Sequence, residues 1–256
     1  MEHQHHHKPN EIPVRGVDLS EKGMDSTHAQ TTLNRRMYVQ FLAFTDVTDV
    51  ALLQNVLDDA GIDAVLYLDL SDSRGVGLVT MHEDPEFFVS TLRNVLSTPP
   101  FLSLTPKHHL TMTGRTYAIG YENDLEETLF TRPKNRILDP ELSWVIWYPL
   151  RRSGAFEQLS VEDQRAMLKE HGSIGHQFGT AKLAYDIRLD CHGLDMNDND
   201  FVIGIIGKEL TPLSKVVEHM RKTKQTSVYL EKLGPFFVGK VYWQSALHHA
   251  TAIKKS

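Results

Sequence analysis

Hydrophobic and polar positions recur in a regular order from residue 35 onward. The segment RRMYVQFLAF alternates like a strand, and DVTDVALLQNVLDDAG has the spacing of an amphipathic helix that ends at Gly61. Two more strand patterns, DAVLYLDLSD and GVGLVTMHED, precede a helix over DPEFFVSTLRNVLS and a closing strand region, HHLTMTGRTYAIGYE. The first half of the chain therefore predicts the order βαββαβ.

The second half repeats this order. Its strand patterns are SWVIWYPLRR, AKLAYDIRLD, NDFVIGIIGKEL and GPFFVGKVYWQS. Its helices are SVEDQRAMLKEHG, which we expect to begin after Ser160 and to end at Gly172, and TPLSKVVEHMRKT. The two sets lie about 105–110 residues apart, which indicates an internal duplication. The predicted fold class is α+β, with duplicated ferredoxin-like (βαββαβ) units that form a dimeric α+β barrel.

The same pattern predicts the domain boundaries. Residues 1–34 are polar with little periodicity and predict a mobile tail, which contains the run HQHHH. We expect the first unit at residues 35–125, a charged linker at 126–142 and the second unit at 143–248. The short motifs with candidate catalytic or ligand-binding residues all fall in the second unit, so the first unit is expected to be a scaffold.

Composition excludes several classes of protein. The 256 residues carry a net charge of −6, which argues against a general surface for nucleic acid or anionic lipid. Cys191 is the only cysteine, so neither an intramolecular disulfide nor a cysteine-based zinc site can form. No apolar run reaches the roughly 20 residues that span a bilayer. We therefore expect no membrane span and no secretory signal, and a cytoplasmic location.

Two histidines stand out in the segment KEHGSIGHQFG. His171 and His176 are five residues apart, more than the spacing that places two metal ligands on one helical face. If the helix ends at Gly172, the two rings need not converge. His171 then has two interpretations: it caps the helix carbonyls, or it is a single metal ligand. On the preceding strand, alternation places Tyr148 on the same face as Ile146 and Leu150.

Four stretches of the second half together resemble the chlorite dismutase superfamily, most of all its coproheme decarboxylase branch. They are WYPLRRSG (147–154), KEHGSIG (169–175), CHGLDMNDNDF (191–201) and SVYLEKLGPFFVG (227–239). The resemblance covers residues 35–245 as architecture. It implies hydrogen-peroxide-dependent oxidative decarboxylation of iron coproporphyrin III (coproheme) to haem b. The enzyme would be a haem-dependent oxidoreductase, with coproheme and haem b as its bound groups.

The resemblance also implies roles for particular residues. His171 matches the proximal iron ligand, and Tyr148 matches the tyrosine whose radical takes hydrogen from a propionate after peroxide has oxidised the iron. Arginine binds carboxylates with a two-pronged guanidinium, which suits propionates. The resemblance assigns this task to Arg136, Arg152 and Ser227, with Arg151 as a further candidate.

The residue that faces the iron from the other side stays open. Counting forward from His171 gives Ala184, and counting back from the GLD motif gives Asp186. Arg188 lies on the same strand face, and an arginine over the iron would favour chlorite chemistry. We favour Ala184. The strand after GLD is apolar, so His171 lacks the carboxylate partner of chlorite dismutases, which favours coproheme that is held weakly and released.

Two other functions compete with the decarboxylase. The first is a haem-binding protein with weak peroxidase or chlorite dismutase activity. The second is a ferredoxin-like module that binds another ligand or has a regulatory role, without haem. For the decarboxylase, the resemblance implies hydrogen peroxide as co-substrate, a coproporphyrin ferrochelatase as supplier and a homopentamer. The roles of His176, Cys191 and the histidine-rich tail stay open.

Overall fold

A computed structural model describes residues 16–247, which contain twelve strands. The strands are β1 (Glu21–Met24), β2 (Gln30–Leu33), β3 (Tyr38–Thr45), β4 (Ala64–Asp69), β5 (Val76–His82), β6 (Thr105–Pro106), β7 (Met112–Arg115), β8 (Trp144–Arg152), β9 (Tyr185–Asp190), β10 (Phe201–Gly207), β11 (Leu230–Leu233) and β12 (Phe237–Gln244).

The helices lie between these strands. They are α1 (Val50–Ala60), α2 (Glu86–Val89), α3 (Thr91–Leu96), α4 (Arg132–Ile137), α5 (Gly154–Glu157), α6 (Val161–Thr180), α7 (Leu210–Met220) and α8 (Lys224–Tyr229). Short 3-10 turns occur at Phe101–Ser103 and His108–Leu110, and a π-helical turn at Glu127–Thr131 leads into α4. No helix of residues 16–247 is long and apolar enough to cross a membrane.

The large sheet closes on itself. Its strand order is β10-β9-β7-β3-β5-β4-β12-β8, and β8 pairs again with β10. When strands are numbered within each half, β7-β3-β5-β4 reads 4-1-3-2 and β9-β10-β8-β12 reads 2-3-1-4, the same order in reverse. The predicted α+β class is confirmed, and the antiparallel pairs join the two halves into one barrel.

Alternation along the strands separates three hydrophobic cores. On β8, Val145 and Trp147 point into the barrel, where they pack with residues such as Phe41 and Phe237. The intervening residues of β8 point outward to a second core under α6 and α7. The third core lies on the outer face of the first half, where α1 and α3 cover the sheet. The outer core of the second half contributes several residues to the candidate site described below, among them Tyr148 and Ala184.

Several predicted element ends are confirmed by the backbone. Helix α1 stops at Gly61, whose φ of 60° is the left-handed conformation that glycine adopts without a steric penalty. Ser160 caps α6, because its hydroxyl accepts the backbone N–H of Asp163. The helix predicted over DPEFFVSTLRNVLS is split at Ser90 into α2 and α3.

Part of the predicted tail is ordered in the fold. Residues 1–15 lie outside the described range, but β1 and β2 form a hairpin within 16–34, so the prediction of a tail is wrong there. The hairpin is tied to the barrel because the carboxylate of Glu21 accepts hydrogen bonds from Arg36 (2.9 Å) and Arg115 (3.0 Å). The predicted linker, 126–142, is largely helical.

The prediction that the helix ends at Gly172 is also wrong. Helix α6 runs through Gly172 to Thr180. Glycine costs a helix interior about 1 kcal/mol relative to alanine. That cost is outweighed by packing, since Ile174 and Phe178 of the same helix pack against the outer core of the second half. His171 and His176 therefore lie on one continuous helix.

Candidate functional site

The candidate site is a cavity of about 490 Å³ on the outer face of the second half. One wall is the sheet face of β8, β9 and β10, and the opposite wall is α6 with the end of α7. The segment that follows β7 and the start of α4 close one side, with Thr116, Tyr117 and Arg132 in the lining. The volume lies in the range of small-molecule and cofactor sites.

His171 reaches the cavity from α6. It is half-buried, and its Nδ1 lies 3.2 Å from the hydroxyl oxygen of Thr223. Burial lowers the pKa of His171 below its ordinary value, and the positive charge of Arg152 adds to the shift. The imidazole is therefore neutral at pH 7, which is the form that binds a metal.

The two histidines do converge on the same space. His176 also lines the cavity, although it is more exposed than His171. The expectation that a helix end would separate the rings is wrong, because the helix does not end between them. Within residues 16–247, no three side chains of histidine, cysteine, aspartate or glutamate are grouped as a metal site. A metal bound here would therefore receive most of its ligands from a cofactor rather than from these side chains.

Tyr148 reaches the cavity from the sheet. Strand alternation places it outward as predicted, and its side chain is only 3% exposed. Its ring stacks on Phe236 with centroids 4.8 Å apart. Burial raises the pKa of Tyr148 well above its ordinary value, and the carboxylate of Asp186 adds to the shift. The phenol therefore keeps its proton at neutral pH.

Among residues 16–247, four arginines line the cavity, against one carboxylate, Asp186. They are Arg132, Arg136, Arg188 and Arg221. The Nε of Arg188 lies 3.2 Å from Asp186, and Arg136 donates a 3.0 Å hydrogen bond to the backbone carbonyl of the same residue. Arg221 has no ion-pair partner within residues 16–247, and its guanidinium lies 5.8 Å from the ring centre of Phe236. The cavity therefore carries an excess of positive charge.

Three of the residues predicted to bind propionates do not line the cavity. Arg151 forms an ion pair with Asp198 outside it. Arg152 packs its guanidinium over the rings of Phe156 and Phe201, 4.8 and 4.5 Å from their centres. Ser227 donates a 2.8 Å hydrogen bond to a backbone carbonyl in the preceding turn. Of the four predicted carboxylate-binding residues, only Arg136 lies at the cavity wall.

Sequence reasoning missed Arg221 and Thr226, both of which line the cavity. Arg221 follows the last residue of α7, and Thr226 lies in the short helix α8. Their signal in the sequence is weak, because hydrophobic periodicity does not show where a residue beyond a helix end points. Thr226 is the immediate neighbour of the predicted Ser227.

All three alternatives for the residue opposite His171 line the cavity. Ala184 precedes β9, while Asp186 and Arg188 lie on it, and all three have the same parity along the chain. The strand register shows where Arg188 lies relative to Tyr148. Ile203 of β10 pairs with Tyr148 on one side and with Arg188 on the other, so these three residues form one row across the sheet. Because His171 comes from the helix wall, this row faces it across the cavity.

The helix wall is open above two glycines. A Cβ placed on Gly172 would have no protein atom within 4 Å, and one on Gly175 would meet only the terminal methyl of Met220, at 3.7 Å. Both residues line the cavity next to His171. A flat ligand can therefore approach the helix backbone closely at this point.

A family model described as chlorite dismutase matches residues 77–242, more than half of the chain. Among curated proteins, no match is found. Among solved structures, a mutant of chlorite dismutase from Candidatus Nitrospira defluvii is 18% identical with a TM-score of 0.64, covering 82% of this chain and 92% of that one. A structure described as a novel haem-binding protein from Thermus thermophilus is 16% identical with a TM-score of 0.63, covering 81% and 91%. At these identities the two structures show the shared fold.

Proposed function

The chain belongs to the chlorite dismutase family, and from that premise we propose that its cavity binds an iron porphyrin and that its substrate is iron coproporphyrin III. The reaction is the peroxide-dependent decarboxylation of two propionates, which yields haem b. One observation carries the proposal: a single cavity joins a neutral histidine, a buried tyrosine and four arginines opposed by one carboxylate.

The residues of the cavity fit an iron porphyrin. His171 would hold the iron through one neutral imidazole, and the porphyrin nitrogens would supply the remaining ligands that the protein lacks. The open backbone at Gly172 leaves room for a planar ring beside that histidine. Apolar side chains of the sheet wall, such as Ile203 and Ile205, suit the macrocycle. We expect His171 to hold the iron and the sheet wall to cover the opposite face.

The charge of the cavity favours coproheme over haem b. Coproheme carries four propionates, whereas haem b carries two. Buried carboxylates need charge-assisted donors, and arginine is the donor best suited to them. Arg136 and Arg221 line the cavity with guanidinium groups that can take this role, and Thr226 adds a hydroxyl. These residues replace Arg151, Arg152 and Ser227 in the proposal.

Tyr148 is proposed to carry the chemical step. A bound iron porphyrin supplies the oxidising power drawn from hydrogen peroxide. The Tyr148 phenol loses a hydrogen atom and then takes one from the β-carbon of a propionate. For each propionate, one hydrogen peroxide and one proton are consumed, and a vinyl group, one carbon dioxide and two waters are formed. The burial of Tyr148 excludes water from its radical and keeps its hydroxyl protonated between turnovers.

A titration tests the proposal directly. The apoprotein is titrated with iron coproporphyrin III and, separately, with haem b, and the Soret band is followed. Hydrogen peroxide is then added, and product masses are measured. We expect a shifted Soret band with coproheme and the stepwise loss of two carboxyl groups. If neither porphyrin shifts the band, the haem proposal fails and a module for another ligand is favoured.

A second candidate function is a haem-binding protein with peroxidase or chlorite dismutase activity. Arg188 favours it, because this arginine lies in the row of Tyr148 and faces His171 across the cavity. The ion pair with Asp186 holds that guanidinium at β9 and reduces its freedom to act on a small anion. Oxygen release from chlorite, together with porphyrin that keeps all its carboxyl groups in peroxide, would support this candidate. Assembly into pentamers and supply of coproheme by a ferrochelatase stay predictions.

A further inference from the structure

The partner of His171 lies in the turn between α7 and α8. The Oγ1 of Thr223 lies 3.2 Å from the Nδ1 of His171, and Thr223 is 3% exposed. A hydroxyl has one proton and can accept hydrogen bonds as well as donate one. The direction of this contact therefore depends on where the Thr223 proton goes.

The Thr223 proton is committed elsewhere. The hydroxyl donates to the backbone carbonyl of Met220 at 2.8 Å, a shorter contact than the 3.3 Å to the Thr226 hydroxyl, and a carbonyl oxygen can only accept. Met220 is the last residue of α7, and carbonyls in the last turn of a helix have no partner within the helix. With its proton on that carbonyl, the Thr223 oxygen can only accept from His171. The imidazole must then carry its proton on Nδ1, which leaves the lone pair on Nε2.

From this geometry we propose that Thr223 is a positioning residue that fixes the tautomer of His171 and would make this imidazole a weakly electron-donating ligand for iron. The part of this inference that concerns iron rests on the proposed function. The tautomer of His171 does not, because it can be measured in the protein without any metal. A second-sphere partner sets both the orientation and the basicity of a metal-binding histidine. A neutral hydroxyl draws less on the Nδ1 proton than a carboxylate does. The iron should therefore be more easily reduced than one whose histidine is bonded to a carboxylate.

Three variants of Thr223 separate the possibilities. Thr223→Val keeps the shape and removes the acceptor, Thr223→Ser keeps the acceptor, and Thr223→Asp supplies a carboxylate. The Thr223 side chain makes no capping bond to α8, and the backbone N–H of Thr223 still donates to the Met220 carbonyl at 3.1 Å. The valine variant therefore keeps the backbone hydrogen bond that closes the turn. Thr211→Val is the matched control, because Thr211 is an exposed residue of α7 outside the cavity lining.

The first measurement uses the apoprotein. The side-chain ¹⁵N shifts of His171, assigned by comparison with a His171→Gln variant, report which ring nitrogen carries the proton. We expect the Nδ1–H form in the wild type, in Thr223→Ser and in Thr211→Val, and a shift toward the Nε2–H form in Thr223→Val. An Nε2–H imidazole in the wild type, or shifts that do not change in Thr223→Val, would overturn the inference whether or not a porphyrin binds.

The second measurement uses the protein loaded with iron coproporphyrin III. We expect the iron–histidine stretching frequency of the ferrous form to fall in Thr223→Val, to be restored in Thr223→Ser and to rise in Thr223→Asp, with a lower reduction potential in the last. Loss of a second-sphere partner typically weakens metal binding by about 10- to 100-fold, and we expect the lower end for Thr223→Val. Identical spectra in all variants would overturn the inference and leave the proposed function standing. Failure of every variant to bind porphyrin would instead count against the proposed function.

Discussion

The rings of Tyr148 and Phe236 stack with their centroids 4.8 Å apart and their planes inclined by 28°. This contact separates the packing role of Tyr148 from its hydroxyl, because phenylalanine presents the same ring to Phe236. The Tyr148→Phe variant should therefore fold and bind coproheme within a few-fold of the wild type. It should form no vinyl product, since it has no hydroxyl hydrogen to lose.

Product masses after addition of peroxide check this prediction. Tyr242→Phe is the matched control, because Tyr242 is 42% exposed and lies outside the cavity lining. We expect the control to make haem b at the wild-type rate. Normal product formation by Tyr148→Phe would refute the radical role and direct attention to Tyr117, another tyrosine of the cavity wall.

His171 and His176 provide a paired test of the iron ligand. Both line the cavity. Of these two histidines, His171 has a ring nitrogen in hydrogen-bond contact with a described residue, and His176 has none among residues 16–247. His171→Ala should weaken coproheme binding by more than about tenfold, on the order of 1.4 kcal/mol or more, and should move the Soret band. His176→Ala should leave the band in place. The opposite pattern would transfer the role of ligand to His176.

The outward face of β8 was predictable because strand alternation depends only on a period of two. That period placed Tyr148 on the face that borders the cavity, and the register then gave it Ile203 and Arg188 as neighbours in one row. The α+β class was likewise predictable, since both halves carry the same alternation of strand and helix patterns.

Other features depend on how local preferences compete with packing, which the sequence alone does not show. Gly172 looked like a helix end, but packing of α6 against the sheet outweighs the cost of one glycine. Ser227 and Thr226 differ by one position in α8, and a step of one residue rotates a side chain by about 100° around a helix. Only the orientation of that short helix decides that Thr226 lines the cavity while Ser227 bonds a backbone carbonyl.

Arg221 is expected to bind a propionate, and Arg151 is not. Arg221 lines the cavity without a carboxylate partner among the described residues, whereas Arg151 is paired with Asp198 outside it. Arg221→Gln should weaken coproheme binding by about five- to tenfold, which corresponds to roughly 1–1.4 kcal/mol. Arg151→Gln, with the same change of charge, should bind as the wild type does. Equal losses in both variants would indicate long-range charge rather than direct contact.

Gly172→Ala should change stability and binding in opposite directions. A Cβ at this position meets no protein atom within 4 Å, so alanine should stabilise α6 by about 0.5–1 kcal/mol. The same methyl group projects into the space proposed for the porphyrin and should weaken coproheme binding. Thermal unfolding of the apoprotein and Soret titration measure the two effects. A variant that is both more stable and a stronger binder would contradict close approach of the porphyrin to α6.

The stability of the apoprotein should fall in mildly acidic solution because of His171. Burial lowers the pKa of His171 in the folded state, whereas the unfolded chain has the ordinary value of about 6.5. Below that value the unfolded state binds more protons, so the contribution of His171 is fully present above about pH 6.5 and is lost as the pH falls through the folded-state pKa. Urea unfolding at pH 7.5 and pH 5.5 should therefore show a smaller pH dependence for His171→Gln than for the wild type. His28→Gln serves as the control, because His28 lies in the turn between β1 and β2, away from the cavity. If His171→Gln kept the whole pH dependence, the imidazole would not be the buried neutral group that the site requires.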